Sequence, residues 1–101
     1  MEWKTAMKAN DLKNGQMKIV SIVDKLIVLT QVDGKYYAFD DTCTHKHCSL
    51  GEGFLEGTVV ECPCHGARFD VTQGQVVSLP ATLPIKTYAV KEENGALLVE
   101  V

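Results

Sequence analysis

Cys43-Thr44-His45-Lys46-His47-Cys48 and Cys62-Pro63-Cys64-His65-Gly66 are the two stretches on which the reading of this chain turns. Each sets one cysteine close to one histidine, two positions apart in the first stretch and three in the second. Thiolate and imidazole are the usual ligands of soft metals, so Cys43, His45, Cys62 and His65 form a four-ligand set. A Cys2His2 set suits tetrahedral zinc. Zinc modules, however, usually place two cysteines in one loop and two histidines or two further cysteines in the other. Here each loop offers one of each, with sixteen residues between His45 and Cys62. A two-iron cluster with unlike irons uses that arrangement, both cysteines on one iron and both histidines on the other.

Read outward from the loops, the sequence resembles the Rieske family, whose pattern is a C-x-H loop, a spacer near this length and a C-x-x-H loop. Leu50, Glu52 and Gly53 resemble the L-x-E-G that follows the first loop in small Rieske ferredoxins. Cys62-Pro63-Cys64-His65-Gly66-Ala67-Arg68-Phe69-Asp70 resembles the second loop, Gly74 the turn after it, and Pro80-Ala81-Thr82-Leu83-Pro84-Ile85 the proline-rich segment that covers the cluster. The resemblance spans residues 3 to 101. It implies a [2Fe-2S] cluster with Cys43 and Cys62 on the inner iron and His45 and His65 on the outer one, and Gly53 and Gly66 are expected to let backbone approach the sulfurs. It implies a one-electron carrier and not an enzyme. A reductase would load the cluster and a terminal oxidoreductase such as an oxygenase would unload it, docking at the cluster tip. A fixed Rieske subunit of a larger oxidoreductase or respiratory assembly is the other reading.

By the same resemblance, Cys48 and Cys64 occupy the positions of a loop-bridging disulfide in high-potential Rieske proteins. Two reduced thiols are the alternative, which a cytosolic compartment favours. His47 stands where the family usually has glycine and is expected, with Lys46, to be a solvated loop residue. Ala67 and Phe69 match positions where high-potential members carry a serine and a tyrosine that donate hydrogen bonds to the cluster or its cysteines. Their absence predicts a potential in the lower half of the Rieske range.

The remaining sequence reads as one all-β domain over 1–101. An antiparallel β-sandwich-like base of residues 1–40 and 71–101 carries an inserted two-loop cluster-binding subdomain at about 41–70, at one end of the base. Trp3 to Ala9, Met17 to Val23, Leu26 to Val32 and Lys35 to Phe39 read as a β-meander. Ile19 and Val23 are expected to point inward, Asp24-Lys25 to form a tight connection, and Asp33-Gly34 a two-residue hairpin turn. In the insert only Thr58 to Glu61 reads as a clear strand. Phe69 to Val71 and Gln75 to Leu79 are further candidates, and the insert looks too poor in aliphatic residues to pack without its cluster. Ile85 to Lys91 and Ala96 to Val101 close the base around Glu93-Asn94-Gly95. Trp3, Tyr36, Tyr37, Phe39 and Tyr88 read as packing residues and not as electron relays.

Composition narrows the function classes. A net charge of -3 on 101 residues leaves no basic stripe for phosphates and argues against nucleic acid. The longest aliphatic run, Leu26 to Leu29, is far too short to span a bilayer, and Met1 to Asn10 lacks the apolar core of a signal peptide. The expectation is a cytoplasmic monomer without a membrane anchor. No glycine-rich phosphate loop opens a helix, so nothing points to a flavin or nicotinamide.

Overall fold

The computed structural model describes residues 2–44, 48–64, 66–79 and 83–101. Among them are eleven strands: β1 Trp3–Lys8, β2 Met17–Ile22, β3 Lys25–Val32, β4 Lys35–Asp40, β5 Phe54–Glu56, β6 Val59–Glu61, β7 Arg68–Asp70, β8 Val76–Ser78, β9 Thr87–Tyr88, β10 Val90–Glu93 and β11 Ala96–Glu100. Two short 3-10 turns, Ala9–Asp11 and Leu50–Glu52, accompany them. The strands form three sheets in the orders β1-β11-β10, β2-β3-β4-β9 and β5-β6-β7-β8. All pairings within them are antiparallel.

The unbroken apolar run Ile27-Val28-Leu29 in β3 has a simple cause: this strand is covered on both faces. Successive side chains point to opposite sides of a sheet. Ile27 and Leu29 therefore pack with Ala38, Ile22, Leu97 and Val99, between the middle sheet and the β1-β11-β10 sheet. Val28 packs with Phe39, Leu50, Val60, Phe69 and Val71 on the other side, against the β5–β8 sheet. The result is three β layers around two cores. Thr30, buried on β3, stays satisfied because its Oγ1 donates to the Gln16 carbonyl at 2.7 Å.

Several expectations are corrected here. The opening strand leaves the meander and pairs with β11, from Trp3↔Glu100 to Lys8↔Ala96. Glu2 and Val101 exchange both backbone hydrogen bonds at the end of that ladder. Ile19 and Val23 are exposed, whereas Ile22 is buried and Val20 packs beside it. Both faces of the middle sheet are apolar, so alternation in β2 did not say which set faced the base. The connection after β2 is Val23-Asp24, because Ile22 pairs with Lys25. Both turn residues have positive φ, 50° and 62°, as a type I′ turn demands and a β-branched residue resists. The insert also has a strand that sequence reading missed, β5, and an apolar core of its own residues shared with Val28 and Phe39. It lies along a face of the base and does not depend on a cluster for all of its packing.

Candidate metal centre

The two loops leave the second core at neighbouring points. The first starts where β4 ends. Asp41 donates its N–H to the Leu26 carbonyl and accepts the Leu50 N–H at 2.7 Å. The buried Asp41 carboxylate accepts two further bonds through Oδ1, from Ser49 Oγ and from the Gly51 N–H, both at 2.8 Å. Cys43 N–H then bonds the Cys48 carbonyl at 2.9 Å, closing the loop on itself. Asp41 is a residue that sequence reading missed; its signal was a second aspartate beside Asp40 at a strand end, followed by the loop.

The second loop is closed by Cys62 N–H to the Ala67 carbonyl at 2.8 Å and Gly66 N–H to the Cys62 carbonyl at 3.2 Å. Gly66 has φ +76° with open space where a side chain would go, so conformation and not room requires glycine there. Gly53 differs: a Cβ would strike the Glu61 carbonyl oxygen and press on Pro63. Its close approach is to the strand that feeds the second loop. Gly74 likewise leaves no space against the Ile85 carbonyl, and Ile85 N–H returns a bond to the Gly74 carbonyl at 2.9 Å.

The loops are tied together. A disulfide joins Cys48 to Cys64 across 6.5 Å between Cα atoms. Thr44 Oγ1 donates to the Leu83 carbonyl at 2.8 Å, tying the first loop to the segment ahead of Pro84. Cys43 and Cys62 lie outside the disulfide, are 0% and 2% exposed, and share one apolar cluster with Leu50, Val60, Ala67 and Phe69. Two shielded sulfurs, one from each loop, with the loops clamped beside them, fit a thiolate-held cluster in a low-dielectric pocket. Ala67 and Phe69 are fully buried in that cluster of side chains and bring it no hydroxyl. His45, Lys46, His47 and His65 lie outside the described residues, as do Pro80, Ala81 and Thr82.

The Rieske [2Fe-2S] domain profile matches residues 2–89, most of the chain and both loops. The chain belongs to the Rieske [2Fe-2S] family. It carries a Rieske-type [2Fe-2S] cluster and is an electron-transfer protein. It is similar to the ferredoxin component of the naphthalene 1,2-dioxygenase system of Pseudomonas putida, with 38% identity over 100 residues covering 99% of this chain and 96% of that one. Among solved structures it is similar to the Sphingomonas yanoikuyae B1 ferredoxin, with TM-score 0.93, 31% identity and 99% of each chain covered. It is also similar to a chain in the complex of reduced oxygenase and oxidized ferredoxin of carbazole 1,9a-dioxygenase. That match has TM-score 0.91 and 37% identity, covering 96% of this chain and 91% of that one.

Away from the loops, Tyr88 on β9 donates its hydroxyl to Asp40 Oδ1, joining the end of β4 to the last part of the middle sheet. Burial first, then that hydrogen bond and the Asp40 charge, push the phenol well above its ordinary range. Lys25 and Lys86 lie over the Tyr88 ring, 5.7 and 5.1 Å from its centroid. Lys91 sits 4.5 Å over Trp3. Among the described residues no helix is long and apolar enough to cross a membrane.

Proposed function

We propose that this Rieske protein is the ferredoxin component of an oxygenase system, accepting one electron at a time from a reductase and delivering it to a terminal oxygenase. The observation that carries this reading is the pair of buried sulfurs, Cys43 and Cys62, one from each of two loops clamped side by side. The likeness to dioxygenase ferredoxins over nearly the whole chain supports the choice of partner. In this reading Cys43 and Cys62 hold one iron and His45 and His65 the other. The cluster, when bound, supplies a one-electron couple, with neutral imidazole in place of two thiolates raising its potential.

The chain's own residues do the rest. Leu50, Val60 and Phe69 keep water from the cysteine side, and Asp41 fixes the return of the first loop. The Cys48–Cys64 bridge holds the two loops together, and Thr44 ties the first loop to the segment ahead of Pro84. The protein works as one Rieske unit over residues 1–101, with a base and a cluster-bearing insert, as a cytoplasmic monomer.

The test combines spectroscopy with reconstitution. The reduced protein is expected to give a Rieske-type electron paramagnetic resonance spectrum and to support turnover when mixed with a reductase and an aromatic-ring oxygenase. Its midpoint potential is expected to be flat near neutrality and to fall at alkaline pH, as oxidised iron lowers the pKa of its imidazole ligands. A colourless zinc protein, or a potential independent of pH into the strongly alkaline range, would overturn the ligand set. A native extract in which the chain elutes only with a large assembly would favour the fixed-subunit reading.

A further inference from the structure

Three sulfurs crowd together where the loops meet. Those of Cys48, Cys62 and Cys64 all lie within 4.8 Å of one another. Two of them form the disulfide, and the third lies outside it, two residues from Cys64 across Pro63. Cys62 is almost fully buried, Cys48 is half-buried and Cys64 is exposed. A third cysteine sulfur is therefore held by the loop itself against a bridge that opens to solvent on its other side. Disulfides isomerise when a thiolate attacks one of the bridge sulfurs. Changes among the staggered rotamers of a cysteine displace its sulfur on this length scale.

We propose that Cys62 is a thiol–disulfide exchange nucleophile toward the Cys48–Cys64 bridge, so that the cluster-free chain rearranges into a disulfide isomer. Attack on the Cys48 sulfur forms the Cys62–Cys48 bond, breaks Cys48–Cys64 and releases Cys64 as a thiolate. Attack on Cys64 forms Cys62–Cys64 and releases Cys48. The Cys62 thiol gives one proton to water and the released thiolate takes one up. No electron is gained or lost, so no oxidant is required. The Cys48–Cys62 isomer is the main product, because a Cys62–Cys64 bond would close a small ring around Pro63, whose φ is fixed. Resting on the ligand set proposed above, either isomer removes a ligand and excludes the cluster, whereas a loaded cluster occupies the Cys62 sulfur and protects the bridge.

The experiment uses the whole chain, isolated with its cluster, which is then stripped by a chelator without oxygen or reductant. Samples are quenched with an alkylating agent over hours and cleaved after Glu52 and Glu61 without reduction, separating Cys48 from the peptide that starts at Cys62. Tandem mass spectrometry locates the label, with Cys43 as internal standard. The expected result is loss of label from Cys62 with matching gain at Cys64, and no change in the loaded protein over the same period. Undiminished labelling of Cys62 throughout would overturn the proposal. Cluster reloading is expected to fall in parallel, several-fold by the end of the series. It should recover on adding a dithiol, and the Cys48→Ser, Cys64→Ser double variant should reload equally at every time. Movement of the label with full reloading would leave the exchange established and remove Cys62 from the ligand set.

Discussion

The two cores on either side of the middle sheet are built from the same strand yet answer to different demands. On one side Ile27, Leu29, Ala38, Leu97 and Val99 make an aliphatic contact between the middle sheet and the β1-β11-β10 sheet. On the other, Val28 and Phe39 begin a core that continues through Val60 and Phe69 and ends at Cys43 and Cys62. The first core is complete from its own side chains. The second terminates in two buried cysteines, proposed above to hold one iron of the cluster. Stability and function are thus assigned to opposite faces of one sheet, and adjacent residues such as Ile27 and Val28 belong to different assignments.

The largest expected effect separates the two faces. Cys62→Ser should lose the cluster and loosen the loops and the β5–β8 sheet, while amide exchange in β1, β3 and β11 remains slow. Equal loss of protection in both regions would break the division. Next come the core truncations, Leu29→Ala at a cost of about 2–5 kcal/mol and Phe69→Ala at about 3–5 kcal/mol. Denaturant titration should show both, but only Phe69→Ala should alter the visible and paramagnetic spectra of the loaded protein.

A smaller effect concerns potential. Ala67→Ser with Phe69→Tyr places two donors beside the cysteines. A hydrogen bond to a charged acceptor is worth about 1.5–3 kcal/mol, and for one electron about 59 mV is a tenfold change in equilibrium. The pair should raise the midpoint by on the order of 100 mV, from a wild-type value in the lower half of the range of about -150 to +300 mV. A wild-type midpoint near the top of that range would show that backbone donors outweigh the missing hydroxyls.

The smallest effects belong to the base. Val23→Asn should relieve a β-branched residue from φ 50° and stabilise the protein by about 1 kcal/mol, read as a higher denaturant midpoint with the spectra unchanged. Tyr88 adds a pH dependence. Its folded pKa is raised above the ordinary phenol value of about 10, so its contribution is full below that pH and is lost as pH rises toward the folded value. Tyr88→Phe should flatten the decline in stability above about pH 10.

What the sequence made legible was local chemistry. Asp33-Gly34 and Asn94-Gly95 are two-residue turns with positive φ at both positions, as their residue types announce. The paired Cys-His loops stood out as a family pattern, and the bridge between Cys48 and Cys64, present in the structure, followed from family resemblance. What stayed hidden depends on partners distant in sequence. Nothing in Trp3–Lys8 says that its neighbour is β11, and nothing in Phe54-Leu55-Glu56 marks so short a strand before it pairs with Val59–Glu61. Val23 misled because the β2–β3 hairpin, with Ile22 opposite Lys25, forces it into a turn that its side chain opposes. Asp41 was obscured because its role is spent on Ser49 and Gly51, eight and ten residues away.

The reciprocal backbone bonds between Glu2 and Val101 make the covalent order of this β stack negotiable. Residues 2 and 101 lie side by side on the outer sheet, so a bridge of a few glycines between them would turn this stretch of backbone into a ring. The ring could then be cut at the exposed Asp33-Gly34 or Asn94-Gly95 turn, where insertions and new termini are best tolerated. Such a permuted chain keeps both loops uncut, and the new ends offer a choice of attachment points for wiring the protein to an electrode or fusing it to a redox partner.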